Sequence, residues 1–310
     1  MKKQQLAEVA VNRIERVFET KPEFRRAHAR GITFEGHFTP NGEAGKFTTA
    51  PHLQGGTIKT AVRFSHSSPN PTWNDAMSPV KGMAVQFLLP DGSATNIVGV
   101  NSPIFFAKTP EAFTEMLGVV RSFQNGKPPL RELAKLLVRY PESRAGVKVI
   151  WKMHAPASFA TGRYYAMHAF YFIDQAGRRT PIKYEWEPAA GVDTLSPQAA
   201  AALEIGHYEA ELAQRLNQGS VRFHLNVVIG EEGDPTDDPT KEWPKERRKI
   251  TVGELEILPK QLDSNSFLFD PTIMTDGIAC SEDRILNFRH AAYAVSNDRR
   301  TAENKNTGAD

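Results

Sequence analysis

The chain has 310 residues, of which 40% are hydrophobic and 24% charged, so it has the composition of a folded globular protein that can bury a sizeable core. Its 38 basic and 36 acidic residues give a formal charge of only +2, which argues against a nucleic acid as partner. The single cysteine, Cys280, excludes an internal disulfide framework and is compatible with a reducing compartment.

The first predicted element is an amphipathic helix within residues 1–20, where apolar side chains recur at helical spacing from Leu6 to Phe18. Two lysines stand near the start of the chain, but no uninterrupted apolar run and no small-residue cleavage site follow, so this segment does not resemble a signal peptide. No stretch approaches the roughly 18 apolar residues that a membrane span requires. We therefore expect a cytoplasmic protein with no membrane partner.

Two groups of short strands follow, each strand rich in Val, Ile, Thr and Phe and bounded by Gly, Pro or Asn. The first group is predicted at 31–38, 57–65, 83–89 and 96–100, and the second at 168–173, 182–186, 221–229 and 250–257. Helices are predicted over 110–123, over 130–138 and, as one long amphipathic helix, over 197–217. The segment 230–249 is rich in proline and charge and is predicted to be a surface loop.

This order of elements predicts an α+β fold in which one eight-stranded antiparallel β-barrel carries helical insertions. No internal repeat of fixed period is present. We therefore expect a single domain over residues 1–310. It would consist of the amino-terminal helix at 1–20, the barrel and its helices at 22–300, and a short polar tail at 301–310.

Four stretches concentrate residue types that carry chemistry. They are RRAHARG at 25–31, VRFS at 62–65, NSPIFF at 101–106 and DRILNFRHAAY at 283–293. In the last stretch, Arg289 and Tyr293 are four residues apart and share a face of a helix. A guanidinium beside a phenol favours the phenolate form, which is a suitable ligand for ferric iron. Arginine and tyrosine at this spacing are also common without such a role, so the pattern alone leaves a structural explanation open.

Taken together and in order, the stretches RRAHARG, VRFS, VGVNSPIFF and FDPTIMTDGIACSEDRILNFRHAAY closely resemble the haem-contact motifs of the haem catalases. The resemblance extends through His168-Ala169-Phe170 and through DDPTKEWP at 237–244, and so covers about 22–300. The sequence carries the barrel without the long arm and extensions of full catalases. In this it resembles the compact branch called catalase-related peroxidases. The resemblance implies a catalase-like barrel around a buried haem b.

The same resemblance implies a role for individual residues. Tyr293 would be the iron ligand, since tyrosine is the ligand known for catalases. His28 would be the distal catalytic histidine, hydrogen-bonded to Ser65. Arg289, His168 and Asp283 would form a hydrogen-bonded relay behind the tyrosinate. Three arginines would bind the haem propionates, namely Arg25, Arg63 and Arg300. Two phenylalanines, Phe105 and Phe113, would pack against the haem ring.

The chain departs from the catalase pattern beside the distal histidine. Where catalases have an asparagine, this chain has Val100, followed by Asn101. A shift of one residue could bring Asn101 to that place, but in a strand it would put the side chain on the opposite face, so we predict that the asparagine is lost. Ala27 stands where catalases usually have a larger β-branched residue, which predicts a roomier distal side.

These observations predict a haem peroxidase that reduces organic hydroperoxides and hydrogen peroxide through a ferryl intermediate, with weak catalase activity. Losing one hydrogen bond to a bound peroxide costs about 1–3 kcal/mol, or roughly ten- to a hundredfold in the step that uses it. The electron donor is a small molecule that the sequence does not identify, and a homodimer is expected.

Three other functions are compatible with the resemblance. One is a compact true catalase that dismutates hydrogen peroxide. Another is rearrangement of a lipid hydroperoxide, as in the fatty-acid allene oxide synthase that shares the fold, although that enzyme resembles catalase in keeping the distal asparagine. The third is a non-enzymatic haem carrier or sensor. The presence of His28 with Ser65 argues against the carrier, because storage needs no proton shuttle.

Overall fold

The computed structural model describes residues 3–20, 24–75, 78–124 and 130–307. Residue 22, near which the resemblance begins, and residues 308–310 of the predicted tail lie outside them.

Within the described ranges, ten strands form one antiparallel sheet. They are β1 (Gly31–Pro40), β2 (Ile58–His66), β3 (Lys81–Leu88), β4 (Ala94–Val100), β5 (Tyr164–Tyr165), β6 (Phe170–Ile173), β7 (Arg179–Pro188), β8 (Val221–Ile229), β9 (Lys249–Leu262) and β10 (Ile278–Cys280). Strand β8 pairs with both β9 and β7, so β1–β5 and β7–β9 close into a barrel. Strands β6 and β10 continue outward from β7. The predicted eight-stranded antiparallel barrel is confirmed.

Side chains alternate between the inside and the outside of the barrel wall, as the pleat requires. On β2, Val62 and Phe64 belong to the buried core, and Phe64 stacks on Phe159 with ring centroids 5.4 Å apart. The neighbouring Arg63 and Ser65 therefore point to the outer face. Because the interior is filled with aromatic and aliphatic side chains, a ligand site on these strands lies on the outer wall.

Seven helices lie in the described parts of the chain. They are α1 (Lys3–Phe18), α2 (Pro110–Gln124), α3 (Leu130–Arg139), α4 (Ser143–Lys152), α5 (Pro197–Ala201), α6 (His207–Gln218) and α7 (Arg284–Thr307). Helix α1 packs along α7, where its alanines and Val11 contact Phe288 and Val295. None of these helices is both long enough and apolar enough to cross a membrane.

The single helix predicted over 197–217 is wrong. The structure has two helices there, α5 and α6, separated by residues 202–206. Gly206 has a φ angle of +89°, a left-handed conformation that a continuous helix cannot contain. Apolar periodicity ran across the break because Ala200 of α5 is buried, as are Tyr208, Leu212 and Leu216 of α6.

The carboxy-terminal helix is longer than the sequence pattern indicated. Helix α7 continues to Thr307, so most of the segment predicted as a polar tail is helical. Helix α4 and the short strands β5 and β10 were not predicted. Strands of two or three residues carry too little periodicity to be recognised without their pairing partners.

Candidate active site

His28 lies in the loop before β1 and has a backbone conformation that is rare for a residue with a side chain. Its φ angle is +54°, in the left-handed region. Arg63 Nη2 donates to the His28 carbonyl oxygen at 2.9 Å, and the Ala29 amide donates to the Ser68 carbonyl oxygen at 3.0 Å. Such a conformation costs of the order of 1–3 kcal/mol and persists only where its surroundings fix it. These contacts therefore hold the His28 side chain in a defined position.

The imidazole of His28 lies against the outer wall of the barrel. Its Nδ1 is 3.0 Å from Ser65 Oγ on β2, and Gly82 on β3 pairs directly with Ser65. A Cβ atom at Gly82 would come within 2.8 Å of His28 Cε1 and 2.9 Å of Nδ1. Only glycine leaves room for the ring here. Gly82 was not among the residues predicted from the motifs, although a glycine inside a strand is a general sign of a close approach.

Val100 lies on the same wall, next to the histidine. It pairs directly with Gly82 across β3 and β4 and is buried. Asn101 is used elsewhere, because its Oδ1 accepts a hydrogen bond from the Lys81 amide at 2.8 Å. The register confirms that Asn101 does not replace the missing asparagine, and the wall beside His28 is apolar at this position.

The imidazole of His28 is neutral at pH 7. Burial lowers its pKa to about 3, and the positive charges of Arg63 and Arg289 act in the same direction. Its Nδ1 contacts Ser65, and no hydrogen bond from the described residues reaches Nε2. A neutral imidazole with one ring nitrogen free can accept a proton from a bound molecule.

A chain of hydrogen bonds runs from Tyr293 into the interior. Arg289 Nη2 donates to Tyr293 Oη at 2.9 Å, and Arg289 Nη1 lies 3.3 Å from His168 Nε2. His168 Nδ1 in turn lies 2.6 Å from Asp283 Oδ2. Burial lowers the pKa of His168, and the carboxylate of Asp283 opposes this effect. The structure thus brings the three residues expected to form the relay together behind Tyr293.

Asp283 has a second task at the start of α7. Its Oδ1 accepts hydrogen bonds from the amides of Ile285 at 2.8 Å and Leu286 at 3.2 Å, as a helix N-cap does. One carboxylate therefore both begins the helix that carries Tyr293 and orients the buried His168. This double use fixes the relay relative to the helix.

Three arginines lie close to one another and to Tyr293. Burial, assisted by Arg300, lowers the pKa of Arg25 to about 10, while burial, assisted by Arg25, lowers the pKa of Arg63 to about 9. Arg25 donates to backbone carbonyls, and Arg300 donates to asparagine side chains. Arg63 Nε is buried with no hydrogen-bond partner among the described residues. A cationic cluster whose partners are neutral and which keeps an unsatisfied donor suits a bound anion.

Aromatic side chains form a further part of the site. Phe105 stacks on Phe113 of α2 with ring centroids 5.8 Å apart and an interplanar angle of 29°. Phe105 also lies 6.5 Å from the His168 ring. Phe105 therefore lies near the relay, and Phe113 lies beside Phe105. They offer flat apolar surface to a planar ligand.

These groups together fit a haem. A phenol oxygen held by a guanidinium is available to ferric iron, and a neutral imidazole stands on the barrel wall. The arginine cluster, with its unsatisfied Arg63 Nε, matches the carboxylates of a porphyrin. Every residue predicted for the site is connected to this arrangement by a contact or by a charge effect.

A second group of buried charges lies on the opposite face of β2 and β3. His66, Asp75 and Glu209 are close enough to ligate a metal ion. However, Lys81 Nζ lies 2.9 Å from His66 Nδ1, and Arg30 forms ion pairs with both carboxylates. Because these cations already neutralise the acids, the cluster is an internal salt-bridge network and not a metal centre.

Known proteins resemble this chain over nearly its whole length. The sequence model of the family described as "Catalase" matches residues 5–307. A catalase-related peroxidase of Mycolicibacterium paratuberculosis is 34% identical over 305 residues, covering 97% of this chain and 96% of the relative. A catalase-related peroxidase of Synechococcus elongatus is 29% identical, covering 93% of this chain and 86% of the relative.

Solved structures show the same fold. A bacterial catalase superposes with a TM-score of 0.76 at 25% identity, over 89% of this chain and 57% of the other. A fungal catalase superposes with a TM-score of 0.79 at 18% identity. The chain therefore belongs to the catalase family, a family of haem-dependent oxidoreductases that act on peroxides.

Proposed function

We propose that this chain binds haem b and acts chiefly as a peroxidase that reduces organic hydroperoxides and hydrogen peroxide, with weak release of oxygen. The observation that carries this proposal is Val100. It lies opposite Gly82 on the wall that holds His28, where full catalases have an asparagine. The names of the two catalase-related peroxidases support the same function.

In this proposal Tyr293 is the iron ligand, and Arg25, Arg63 and Arg300 bind the propionates. Phe105 and Phe113 pack against the porphyrin. When bound, haem supplies a ferric centre that accepts the two oxidising equivalents of a peroxide. Arg289 donates to Tyr293 Oη and so stabilises the phenolate. His168 and Asp283 hold Arg289 in the orientation that this requires.

His28 moves the proton. With Nδ1 donating to Ser65 Oγ, Nε2 keeps its lone pair and can take a proton from the hydroperoxy OH oxygen of a peroxide. The same nitrogen returns the proton to the other peroxide oxygen, so the leaving group is water or an alcohol. Because the pKa of His28 is lowered to about 3, the acceptor form dominates over the physiological pH range.

Val100 limits what happens to a second peroxide. An asparagine amide can orient a second hydrogen peroxide molecule for its own oxidation, whereas a valine side chain offers no hydrogen bond. A peroxidase does not need this second orientation, because an external donor delivers the electrons. The substitution therefore weakens dismutation more than peroxidation.

Two parallel assays on the haem-loaded protein test this proposal. One measures oxygen released from hydrogen peroxide, and the other measures oxidation of a dye donor with hydrogen peroxide or with an alkyl hydroperoxide. We expect dye oxidation with both peroxides and little oxygen. Oxygen release at the rate of a full catalase would overturn the proposal and would indicate a compact true catalase.

A further inference from the structure

Helix α3 exposes apolar side chains in a row. Leu130, Ala134 and Val138 are spaced by four residues and share one side of the helix. Leu130 is 58% exposed and Val138 is 74% exposed, whereas Leu133 is buried against the protein. Single exposed aliphatic residues are common, but an aligned row of them indicates a surface that binds another molecule or a membrane.

Helix α4 exposes a tryptophan. Its Ser143 and Gly146 face inward, and Trp151 lies on the outward side with 65% of its surface exposed. The other three tryptophans of the chain, Trp73, Trp186 and Trp243, are buried or half-buried. Trp151 is therefore the one tryptophan side chain that the solvent reaches freely.

Basic side chains lie beside the apolar row of α3 and beside Trp151 of α4. On α3 they are Arg131, Lys135 and Arg139, and on α4 they are Arg144, Lys148 and Lys152. Of these six side chains, only Arg139 has a carboxylate partner among the described residues, Glu115 at 2.9 Å. We call the outward side of α3 and α4 the basic–apolar face. It combines unpaired cations with exposed Leu130, Val138 and Trp151.

Helices α3 and α4 follow one another in the chain across residues 140–142, and α4 lies against the candidate active site. Arg144 Nε donates to the Leu137 carbonyl oxygen at 2.9 Å across this connection. Gly146 lies directly on the Phe105 loop, since a Cβ at this glycine would come within 2.6 Å of the Phe105 carbonyl oxygen. A molecule or membrane bound to the basic–apolar face would therefore lie close to the candidate active site.

We propose that the basic–apolar face docks onto the surface of an anionic lipid bilayer. Lysine and arginine near such a surface are attracted to its headgroups, and tryptophan and aliphatic side chains enter the boundary between headgroups and acyl chains. A nucleic acid would match the cations but would leave Leu130 and Val138 without a partner. A second copy in two-fold contact would bring like charges together, which disfavours it.

This inference departs from the expectation, drawn from the sequence, of no membrane partner. The apolar periodicity of α3 in the sequence is that of any amphipathic helix packed on the rest of the protein. The structure shows that part of this apolar surface, Leu130 and Val138, is exposed to solvent. The proposal does not depend on which peroxide the enzyme uses.

Vesicle flotation with the haem-loaded protein tests the docking. We expect binding to vesicles of mixed phosphatidylglycerol and phosphatidylcholine. Binding to vesicles of phosphatidylcholine alone should be weaker by roughly tenfold or more. The tryptophan emission should shift to shorter wavelength on binding, and this shift should disappear in Trp151→Phe. Absence of binding to the mixed vesicles would overturn the proposal.

Two triple variants distinguish the contribution of the basic–apolar face to vesicle binding from the contribution of the protein's net charge. Lys135→Gln/Lys148→Gln/Lys152→Gln, which keeps the Arg144 hydrogen bond, should weaken binding to the mixed vesicles by roughly tenfold or more. The control is Lys59→Gln/Lys245→Gln/Arg248→Gln, which removes three exposed cations elsewhere and should leave binding unchanged. An equal loss in both would contradict the proposal.

A measurement of oligomeric state completes the test. If sedimentation shows that the wild-type protein is a dimer and the Lys135/Lys148/Lys152 triple variant is a monomer, the face is a contact between copies and the proposal fails. An unchanged oligomeric state together with lost vesicle binding supports it.

Discussion

The two sides of the candidate active site are built in different ways. The wall beside His28 is formed by residues of separate strands, with Ser65 on β2, Gly82 on β3 and Val100 on β4. Around Tyr293, both Arg289 and Asp283 lie on or at the start of one helix, α7. Only His168 reaches the relay from another part of the chain.

The difference shows in the electrostatics as well. On the His28 side, burial and neighbouring arginines keep the imidazole uncharged. On the Tyr293 side, Arg289 and Asp283 place opposite charges on either side of His168. The strand-built side thus depends on register and free space, whereas the helix-built side depends on local spacing and charge. The variants below test that distinction, beginning with the largest expected effect.

His28→Ala removes the proton acceptor from the strand-built side. We expect the rate of the first reaction with peroxide to fall by about 10²–10⁴, because general acid–base catalysis contributes this much. Stopped-flow absorbance of the haem-loaded protein measures the rate. Haem content should stay unchanged, and a rate within a factor of two of wild type would contradict the proposed role.

Gly82→Ala tests whether free space positions the ring. The new Cβ would lie 2.8 Å from His28 Cε1, so the ring must move, and a displacement near 1 Å can lower a rate by about a hundredfold. The same stopped-flow assay measures this effect. Gly99→Ala is a control for a strand glycine whose Cβ would meet Tyr165 instead. Equal effects of both would mean that general strand damage, not ring displacement, explains the loss.

Asp283→Asn tests the charge on the helix-built side while keeping the helix cap. Asparagine still accepts hydrogen bonds from the amides at the start of α7, but its side chain is uncharged. We expect activity or haem affinity to fall by about 10- to 100-fold, as for other residues that orient a metal ligand. Haem titration and the dye assay measure both. Asp283→Ala should in addition lower the free energy of unfolding by about 1 kcal/mol through the lost cap.

Val100→Asn tests the wall next to His28. An amide at this position should raise oxygen release relative to dye oxidation by about tenfold, since it restores one hydrogen bond. Val100→Leu introduces a side chain of similar size to asparagine but without the amide, so it should leave the ratio of oxygen release to dye oxidation unchanged. A ratio that responds equally to both substitutions would rule out the hydrogen bond as the cause.

The smallest effect on the rate is expected from a change of pH. Since the pKa of His28 is about 3 in the folded protein, the rate of the first reaction should stay constant from pH 8 down to about pH 5. A decrease centred near pH 6.5, the value for an exposed histidine, would contradict the burial of this group. The rate is measured in matched buffers at constant ionic strength.

Stability should respond to pH more than the rate does. His28, His52 and His66 all have folded-state pKa values below the unfolded value of about 6.5. Their contribution to stability is therefore complete above pH 6.5 and is lost as the pH falls, because the unfolded chain then binds more protons. Urea unfolding at pH 7 and pH 5 measures this loss, and His52→Leu should reduce it.

The sequence alone determined most of the helix-built side. Arg289 and Tyr293 share a helix face because 3.6 residues make one turn, and the motif order identified Asp283 and His168 by resemblance. The barrel was also predictable, since each main strand is rich in Val, Ile, Thr and Phe and is bounded by Gly, Pro or Asn, and these signals do not depend on its partners. The helix predicted over 197–217 was wrong, because periodicity does not reveal a break at Gly206.

Only the tertiary structure decided the details of the strand-built side. Pairing register places Gly82 between Ser65 and Val100 and turns Asn101 away, and register joins residues that are far apart in the chain. The left-handed backbone of His28 is likewise held by Arg63 and Ser68, which no local pattern connects to it. The exposure of Leu130, Val138 and Trp151 was also hidden in the sequence. A hydrophobic pattern shows which residues share a face, but only the packed fold shows whether that face is covered.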